Sequence, residues 1–499
     1  MAQMAVVVAV DAGTTGVRAV AVDQEGRLAG WSYRELPQHF PRPGWVEHDP
    51  DQIAAAVAAT LAELHAALAA AGTTIAAVGV TNQRETALAW DRRSGRPRHR
   101  AIVWQDRRTA ARCDELVEAG RLPLVREATG LVLDPYFTAT KIEWMLGQGG
   151  VETDADLAVG TVDTWVVRHL TGGAAHVTDP SNASRTLLYD LRTGAWSPEL
   201  CELFAVPMAA LPEVRPSSGR YGVTAGGCGL PAGIPVSGIG GDQQAALFGQ
   251  ACLAPGMVKH TYGTGGFALL NVGDERPPVV DGLLTTVAWQ LAEGGPTTYA
   301  YEGAVFVMGA AVQWLRDGLG ILTSSEEVEA LARSVPDSGG VVVVPALTGL
   351  GSPWWDPWAR GTVLGLTRGV GRGHLARAVL EAMAFSTRDV IEAMARSAGR
   401  EVVELRVDGG AAANDLLLQL QADQLQVPVV RPLVTETTAL GAAFLAGLAE
   451  GVWGSTDEVA QAWAEERTFR PEVTPGMASG PHQTWLRAVR RSRSWAGPT

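Results

Sequence analysis

A carboxylate at the end of an apolar run, followed at once by a turn rich in glycine and threonine, is suited to holding a polyphosphate. The sequence has this at Asp11-Ala12-Gly13-Thr14-Thr15-Gly16, directly after Ala5–Val10. The glycines let backbone NH groups approach an anion closely, the hydroxyls add donors, and Asp11 can hold Mg2+ through its waters. A single turn of this kind is more often an ordinary tight hairpin. A second copy, Thr261-Tyr262-Gly263-Thr264-Gly265-Gly266, follows Val258–His260 about half a chain later, and Asp408-Gly409-Gly410 ends a third apolar run, Val402–Val407. Three glycine-rich strand ends point to a nucleotide held across a cleft. The rival cradles are missing: the chain has no G-x-x-x-x-G-K-[ST], and no G-x-G-x-x-G follows the first strand.

The elements that must position these turns can be read in outline. Ala5–Val10 and Val17–Val22 predict a hairpin. Asp49 as N-cap, Pro50 at the first helical position and Gly72 past the end predict a helix through the Ala/Leu-rich run to Ala71. Ile75–Val80 predicts a buried strand, Ile234–Ile239 another, and Asp242–Gly249 a helix. In the second half, strands are expected at Val258–His260, Phe267–Val272, Val341–Val344 and Val402–Val407. Helices are expected around Val305–Asp317, His374–Met394, Asn414–Leu425 and from Thr437, the last suited to tight packing by Ala439, Gly441, Ala442 and Ala443. Alternating strands and helices that restart midway predict two related α/β halves, divided near the Pro255-Gly256 hinge into residues 1–252 and 253–499.

With 499 residues, 46% of them hydrophobic and 19% charged, the chain has ample material for several packed cores. A net charge of -13 argues against nucleic acid as a partner, so a polyanionic ligand must be gripped locally. The basic tail around Arg487, Arg490, Arg491 and Arg493 is read as a solvated terminus. Cys113, Cys201, Cys228 and Cys252 form no paired motif and are expected to be reduced structural thiols. The opening apolar run lacks the flanks of a signal peptide, no stretch is read as reaching the ~18 apolar residues of a membrane span, and a cytoplasmic protein with no membrane insertion is expected. The histidines form no cluster suited to a transition metal.

Longer segments carry a resemblance. Gly79–Thr86 (GVTNQRET), Ala101–Arg108 (AIVWQDRR), Asp134–Phe137, Gly160–Trp165, Thr178-Asp179 with Asn182–Arg185, Gly241–Gln244 and Tyr262–Gly265 resemble the glycerol kinase subgroup of the FGGY carbohydrate kinases. Tyr136–Trp144 is similar to the first signature of that family and Gly361–Gly369 to the second. The resemblance implies an actin-like ATPase fold, two RNase H-like α/β domains with the catalytic cleft between them. It also implies ATP-dependent phosphorylation of glycerol to sn-glycerol 3-phosphate with ATP and Mg2+ as cofactors, and a homodimer or homotetramer.

Carried over residue by residue, the resemblance assigns the polyol pocket to Arg84, Glu85, Trp104, Tyr136, Asp242, Gln243 and Phe267, with Asp242 as general base and Asp11 on the metal. Thr14, Thr15, Arg18 and Thr264 would lie near the phosphates, and Gly309, Gln313, Gly410 and Asn414 would line the nucleotide side. The chemistry is apt: a triol's hydroxyls both donate and accept, so an arginine, two carboxylates and aromatic walls can satisfy it. Read without the resemblance, Arg84–Glu85 is equally a surface ion pair, Asp242 a helix cap, and the aromatics core residues. Three features differ from common members: Ala12 stands where they have Gln, Gly16-Val17 where they have two serines, and the loop Gly229–Gly233 lacks the Arg or His through which some are regulated. Kinases for another polyol or ketose, and acceptor-independent ATPases of the same fold, are the alternatives.

Overall fold

The computed structural model describes residues 5–497. Its first sheet is built from β1 (Ala5–Ala12), β2 (Gly16–Val22), β3 (Leu28–Glu35), β4 (Thr74–Asn82), β5 (Ser218–Val223) and β6 (Pro235–Gly241), in the order β5-β6-β4-β1-β2-β3. The second is built from β7 (Met257–Tyr262), β8 (Gly266–Gly273), β9 (Leu284–Gln290), β10 (Thr297–Val305), β11 (Glu404–Asp408), β12 (Val429–Pro432) and β13 (Glu465–Phe469), in the order β9-β10-β8-β7-β11-β12-β13. Each sheet has the same heart. An antiparallel hairpin, β1–β2 or β7–β8, is extended by strands parallel to its first member, β4 and β6 or β11 and β12. The repeat expected from the two Gly/Thr turns is therefore a repeat of topology, and both turns sit at carboxyl ends of parallel strands, where open α/β sheets place ligands.

β1 shows why these strands are buried on both faces. Val6, Val8 and Val10 point into one core with α1 (Pro50–Ala70) and α2 (Val162–Leu170), while Val7 and Ala9 point into a second core between the two sheets. Asp49 caps α1 as expected, accepting from the Asp51 amide, and Gly72 takes the left-handed conformation after its end. The length and apolar composition of α1 satisfy the test for a membrane span, contrary to the reading of the sequence, because alanine counts as apolar at every position. In the fold Ile53, Val57, Leu61, Leu64 and Leu68 form one buried stripe against the sheet.

The layer between the sheets consists of two short helices that trade sides. α3 (Asp242–Gly249) follows β6 of the first sheet and, besides touching β4 and β6 there, packs against β7, β8 and β9 of the second. α6 (Thr437–Ala449), which comes late in the chain, lies across β1, β4 and β6 of the first. The two helices touch through glycine: a methyl on Gly441 would lie 2.6 Å from the Ala245 carbonyl carbon, and one on Gly249 would lie 2.6 Å from the Gly441 amide nitrogen. Ala439, Ala442, Ala443 and Ala446 complete that contact with Leu247 and Phe248.

The outer face of the second sheet is covered by α4 (Arg372–Ala398) and α5 (Asp415–Leu425), with α7 (Pro475–Ser492) beyond them. α7 corrects the reading of the basic tail. Arg487, Arg490, Arg491 and Arg493 are exposed, but they decorate an ordered helix whose inner face carries His482 and Trp485, both donating to or paired with the buried Asp389 carboxylate at 2.7 and 2.8 Å. The helix expected from Val305 begins four residues later, at Gly309–Gln313, because Val305 finishes β10 and Met308 turns the chain. All four cysteines are buried and free.

Candidate active site

The parallel strands of the first sheet end together, and their ends carry the predicted polar residues. β4 runs into Gln83, Arg84 and Glu85, β6 into Asp242, and β1 into the Asp11 turn. Glu85 adopts φ +61°, and the Thr86 amide donates to the Arg84 carbonyl at 2.8 Å across it. A three-residue turn of this hand is strained for a non-glycine residue, and it turns the Arg84 and Glu85 side chains inward at the strand's end. Both are buried, at 3% and 2% exposure, which removes the surface ion-pair reading.

Arg84 is the hub. Its Nε lies 3.1 Å from Asp242 Oδ1 and 3.8 Å from Glu85 Oε1, its Nη2 donates to the Tyr136 hydroxyl at 3.3 Å, and its Nη1 donates to Gln244 Oε1 at 3.2 Å and Glu302 Oε2 at 2.5 Å. Tyr136 stands 5.6 Å edge-on from Trp104, whose indole NH donates to Thr14 Oγ1 at 3.0 Å. Trp104, Tyr136 and Phe267 line one cavity of about 750 Å³ with Glu302, Phe306 and Trp355. Four of the seven predicted polyol residues thus touch one another, and two more wall the same space. Gln243 is turned aside, its amide oxygen held by Lys259.

A second cavity of about 560 Å³ lies on the other lobe. Thr264, Gly309, Gln313, Gly410 and Asn414 line it, together with Val312, Leu380 and Met383, which give a flat ring an apolar bed. Thr264 faces both cavities, so the Gly263–Gly265 turn is the partition between them. Gly409 holds this turn in place: it sits at φ +85°, with no room for a side chain against the Tyr262 backbone. Asn414 also caps α5, its side chain accepting from the Leu417 amide at 2.9 Å.

Each Gly/Thr turn is closed by its first glycine amide, but over different spans: the Gly13 amide donates to the Gly16 carbonyl, three residues on, at 3.0 Å, and the Gly263 amide to the Gly265 carbonyl, two residues on, at 2.9 Å. Thr14 is half-buried and Thr15 exposed. Arg18 reaches the carboxylate of Glu436, just before α6, and so links the two lobes beside the turn. The departure at Gly16 has a local cause: the Tyr33 ring, its hydroxyl 3.3 Å from the Thr15 carbonyl, fills the space a serine would need.

Electrostatics distinguish the carboxylates. Burial pushes Asp11 up to about 7, and the nearby Asp242 and Glu436 charges add to this against Arg18. Asp242 is also raised by burial, with Arg84 and Lys259 opposing the rise. Glu302 goes the other way, to about 2, because Arg185 and Arg84 outweigh its desolvation. A half-buried Asp11 whose ionisation its neighbours oppose is a donor that a divalent cation would satisfy. Among the described residues no cluster of three or more His, Cys, Asp or Glu could hold a metal by itself.

The sequence that builds these two lobes matches a known family in both halves. The N-terminal domain of the FGGY family of carbohydrate kinases matches residues 6–249, and its C-terminal domain matches residues 258–450. The chain belongs to this family. Among FGGY kinases it is 55% identical to a glycerol kinase of Trichlorobacter lovleyi, over 99% of this chain and 100% of that one. It is 53% identical to a glycerol kinase of Deinococcus radiodurans, over 99% of both. The crystal structure of Plasmodium falciparum glycerol kinase with ADP superposes with a TM-score of 0.94 at 31% identity, covering 98% of each chain.

Four site residues were missed in the sequence: Arg185, Lys259, Glu302 and Lys141. Lys141 is fully buried, donates to the Pro135 and Tyr136 carbonyls at 3.0 and 2.6 Å, and is lowered by burial to about 7. Arg185 and Lys141 lay inside segments that carried the resemblance, without being singled out there; Lys259 and Glu302 are single charges in apolar surroundings, with no spacing to betray them.

Proposed function

We propose that this FGGY kinase transfers the γ-phosphate of ATP to a terminal hydroxyl of glycerol, forming sn-glycerol 3-phosphate. The observation that carries the reading is the pair of cavities divided by one glycine turn. One cavity is walled by Trp104, Tyr136, Phe267 and Glu302, with Arg84, Glu85 and Asp242 joined to Tyr136 and Glu302 behind that wall, and the other has an apolar bed beside the second Gly/Thr cradle. The glycerol kinases of similar sequence, each aligned along its whole length, support the same substrate. The reading treats 1–252 and 253–499 as working lobes and the cytoplasm as the setting.

In this mechanism Arg84 donates to one hydroxyl, Glu85 and Asp242 accept from others, and Trp104 and Phe267 cover the carbon chain, while Gln243 borders the site through Lys259. Asp242 Oδ1 is engaged by Arg84 and by the Gln243 amide at 2.7 Å, which leaves Oδ2 to take the proton of the attacking hydroxyl. The amides and hydroxyls of Thr14, Thr15 and Thr264, with Arg18, would meet the phosphates. Asp11 would hold Mg2+ through its waters, and the ion would supply charge neutralisation along the triphosphate. A carboxylated or phosphorylated acceptor would face Glu85, Asp242 and Glu302, which disfavours it.

ADP release measured with glycerol, xylulose, erythritol and no acceptor tests the proposal. Strong stimulation by glycerol alone is expected. Stimulation by xylulose without glycerol would reject the substrate, and turnover without any acceptor would place the chain among the ATPases.

A further inference from the structure

One part of the polar floor is left unused by that mechanism. Glu302 lies in β10 of the second lobe with none of its surface exposed, yet its partners come from the first. Arg84 donates to it from Nη1 at 2.5 Å and Nη2 at 3.2 Å, and Arg185 from Nη2 at 3.0 Å. Arg185, also fully buried, spends its Nε on Glu85 Oε1 at 2.7 Å. The four side chains close a ring, Arg84 to Glu302 to Arg185 to Glu85, whose last gap is the 3.8 Å between Glu85 and Arg84. The remaining Arg185 nitrogen has no hydrogen-bond partner among the described residues, and the guanidinium carbon lies over the Tyr136 and Phe137 rings, 5.8 and 5.3 Å from their centroids.

Stability does not account for such a ring. Taking four ions out of water is costly, and apolar side chains of similar volume would serve a core as well or better. A ring of charges can do something an apolar plug cannot: it fixes the direction of a planar guanidinium fork. With both Nη atoms of Arg84 tied to Glu302, its Nε edge is aimed at Asp242 and the acceptor side, and Glu85 is held by Arg185 instead of folding onto Arg84.

We infer that Glu302 is a positioning residue for the acceptor, reaching across from the facing lobe to hold Arg84 and, through Arg185, Glu85 in the orientation that binds a polyol. The inference rests on the polyol-kinase reading above. It carries a specific signature, because the cavity lined by Gln313, Gly410 and Asn414 contains none of these four side chains. Loss of the brace acts on the acceptor and spares the nucleotide.

The test is steady-state kinetics of the full chain with glycerol and ATP each varied, beside thermal melts. Glu302→Gln keeps the shape and removes the charge. It is expected to raise the KM for glycerol about 10–100-fold, the scale of a misaligned contact, with the KM for ATP within about twofold. Glu302→Asp restores the charge on a shorter arm and is expected to recover part of the loss. Should Glu302→Gln fail to fold, Arg185→Lys keeps a charge but cannot hold both carboxylates, and the same split between the two KM values is expected. Equal rises in both, or an unchanged glycerol KM in a folded variant, would overturn the inference while leaving the activity standing. A wild-type chain that releases no ADP on glycerol would overturn the activity and the inference with it.

Discussion

The contact between α3 and α6 can be probed with a single methyl group. Gly441→Ala would place a carbon 2.6 Å from the Ala245 carbonyl carbon, where nonbonded carbons prefer about 3.5–4.0 Å. The helices must then part by roughly 1 Å, and overpacking of this kind costs about 1–3 kcal/mol. At about 2–4 °C per kcal/mol, a melting temperature lower by roughly 2–12 °C is expected. The chemical effect should be larger than the thermal one, since Ala245 is one turn from Asp242 and a base displaced by ~1 Å can cost about 10²-fold in rate. Gly147→Ala is the control: its methyl meets nothing within 4 Å among the described residues, and no loss of stability or rate is expected. Scanning calorimetry and kcat at saturating glycerol and ATP read both variants. A Gly441→Ala protein that melts and turns over like the wild type would show that the helices are not held at glycine distance and would refute the reasoning.

Asp242→Asn keeps the bond from the Gln243 amide but cannot take a proton, so kcat should fall by about 10²–10⁴-fold with ATP binding retained; a near-normal kcat would remove Asp242 as the base. Asp163, buried and pushed up to about 7, has a folded pKa above its unfolded value. Its contribution to stability is therefore present below the unfolded value near 3.8 and lost as pH rises through about 7, and Asp163→Asn should flatten that part of the stability-pH curve measured by urea unfolding. Asp389→Ala would strand His482 and the Trp485 indole in the interior, at about 1–3 kcal/mol each, and limited proteolysis should then cut first within α7.

The strands and helices that could be read from the sequence carry local marks. β1 and β2 are apolar runs around a glycine turn, α1 has its cap, proline and terminal glycine, and α3 and α5 start at Asp242 and beside Asn414 as expected. What was illegible depends on distant partners. β3, with Arg34 and Glu35 among its residues, is a strand because β2 lies beside it, and α7 is a helix despite Pro481 and Gly480 because Asp389 anchors it from α4. In the site, the polyol set came from resemblance, not periodicity. Glu302 is a single acid in β10 whose arginines lie 218 and 117 positions away, a separation that no local pattern reports.

The traded helices make the boundary near residue 252 a division of the chain and not of the folded body. Cut there, the first piece would lose α6 and expose Val7, Ala9 and Ala77, while the second would lose α3 and uncover Leu269 and Ala288. Neither fragment would be expected to remain in solution alone, yet mixed together they should reassociate, each donating the helix the other lacks. If the two halves arose by duplication, that exchange now makes them obligate companions, inherited and denatured as one.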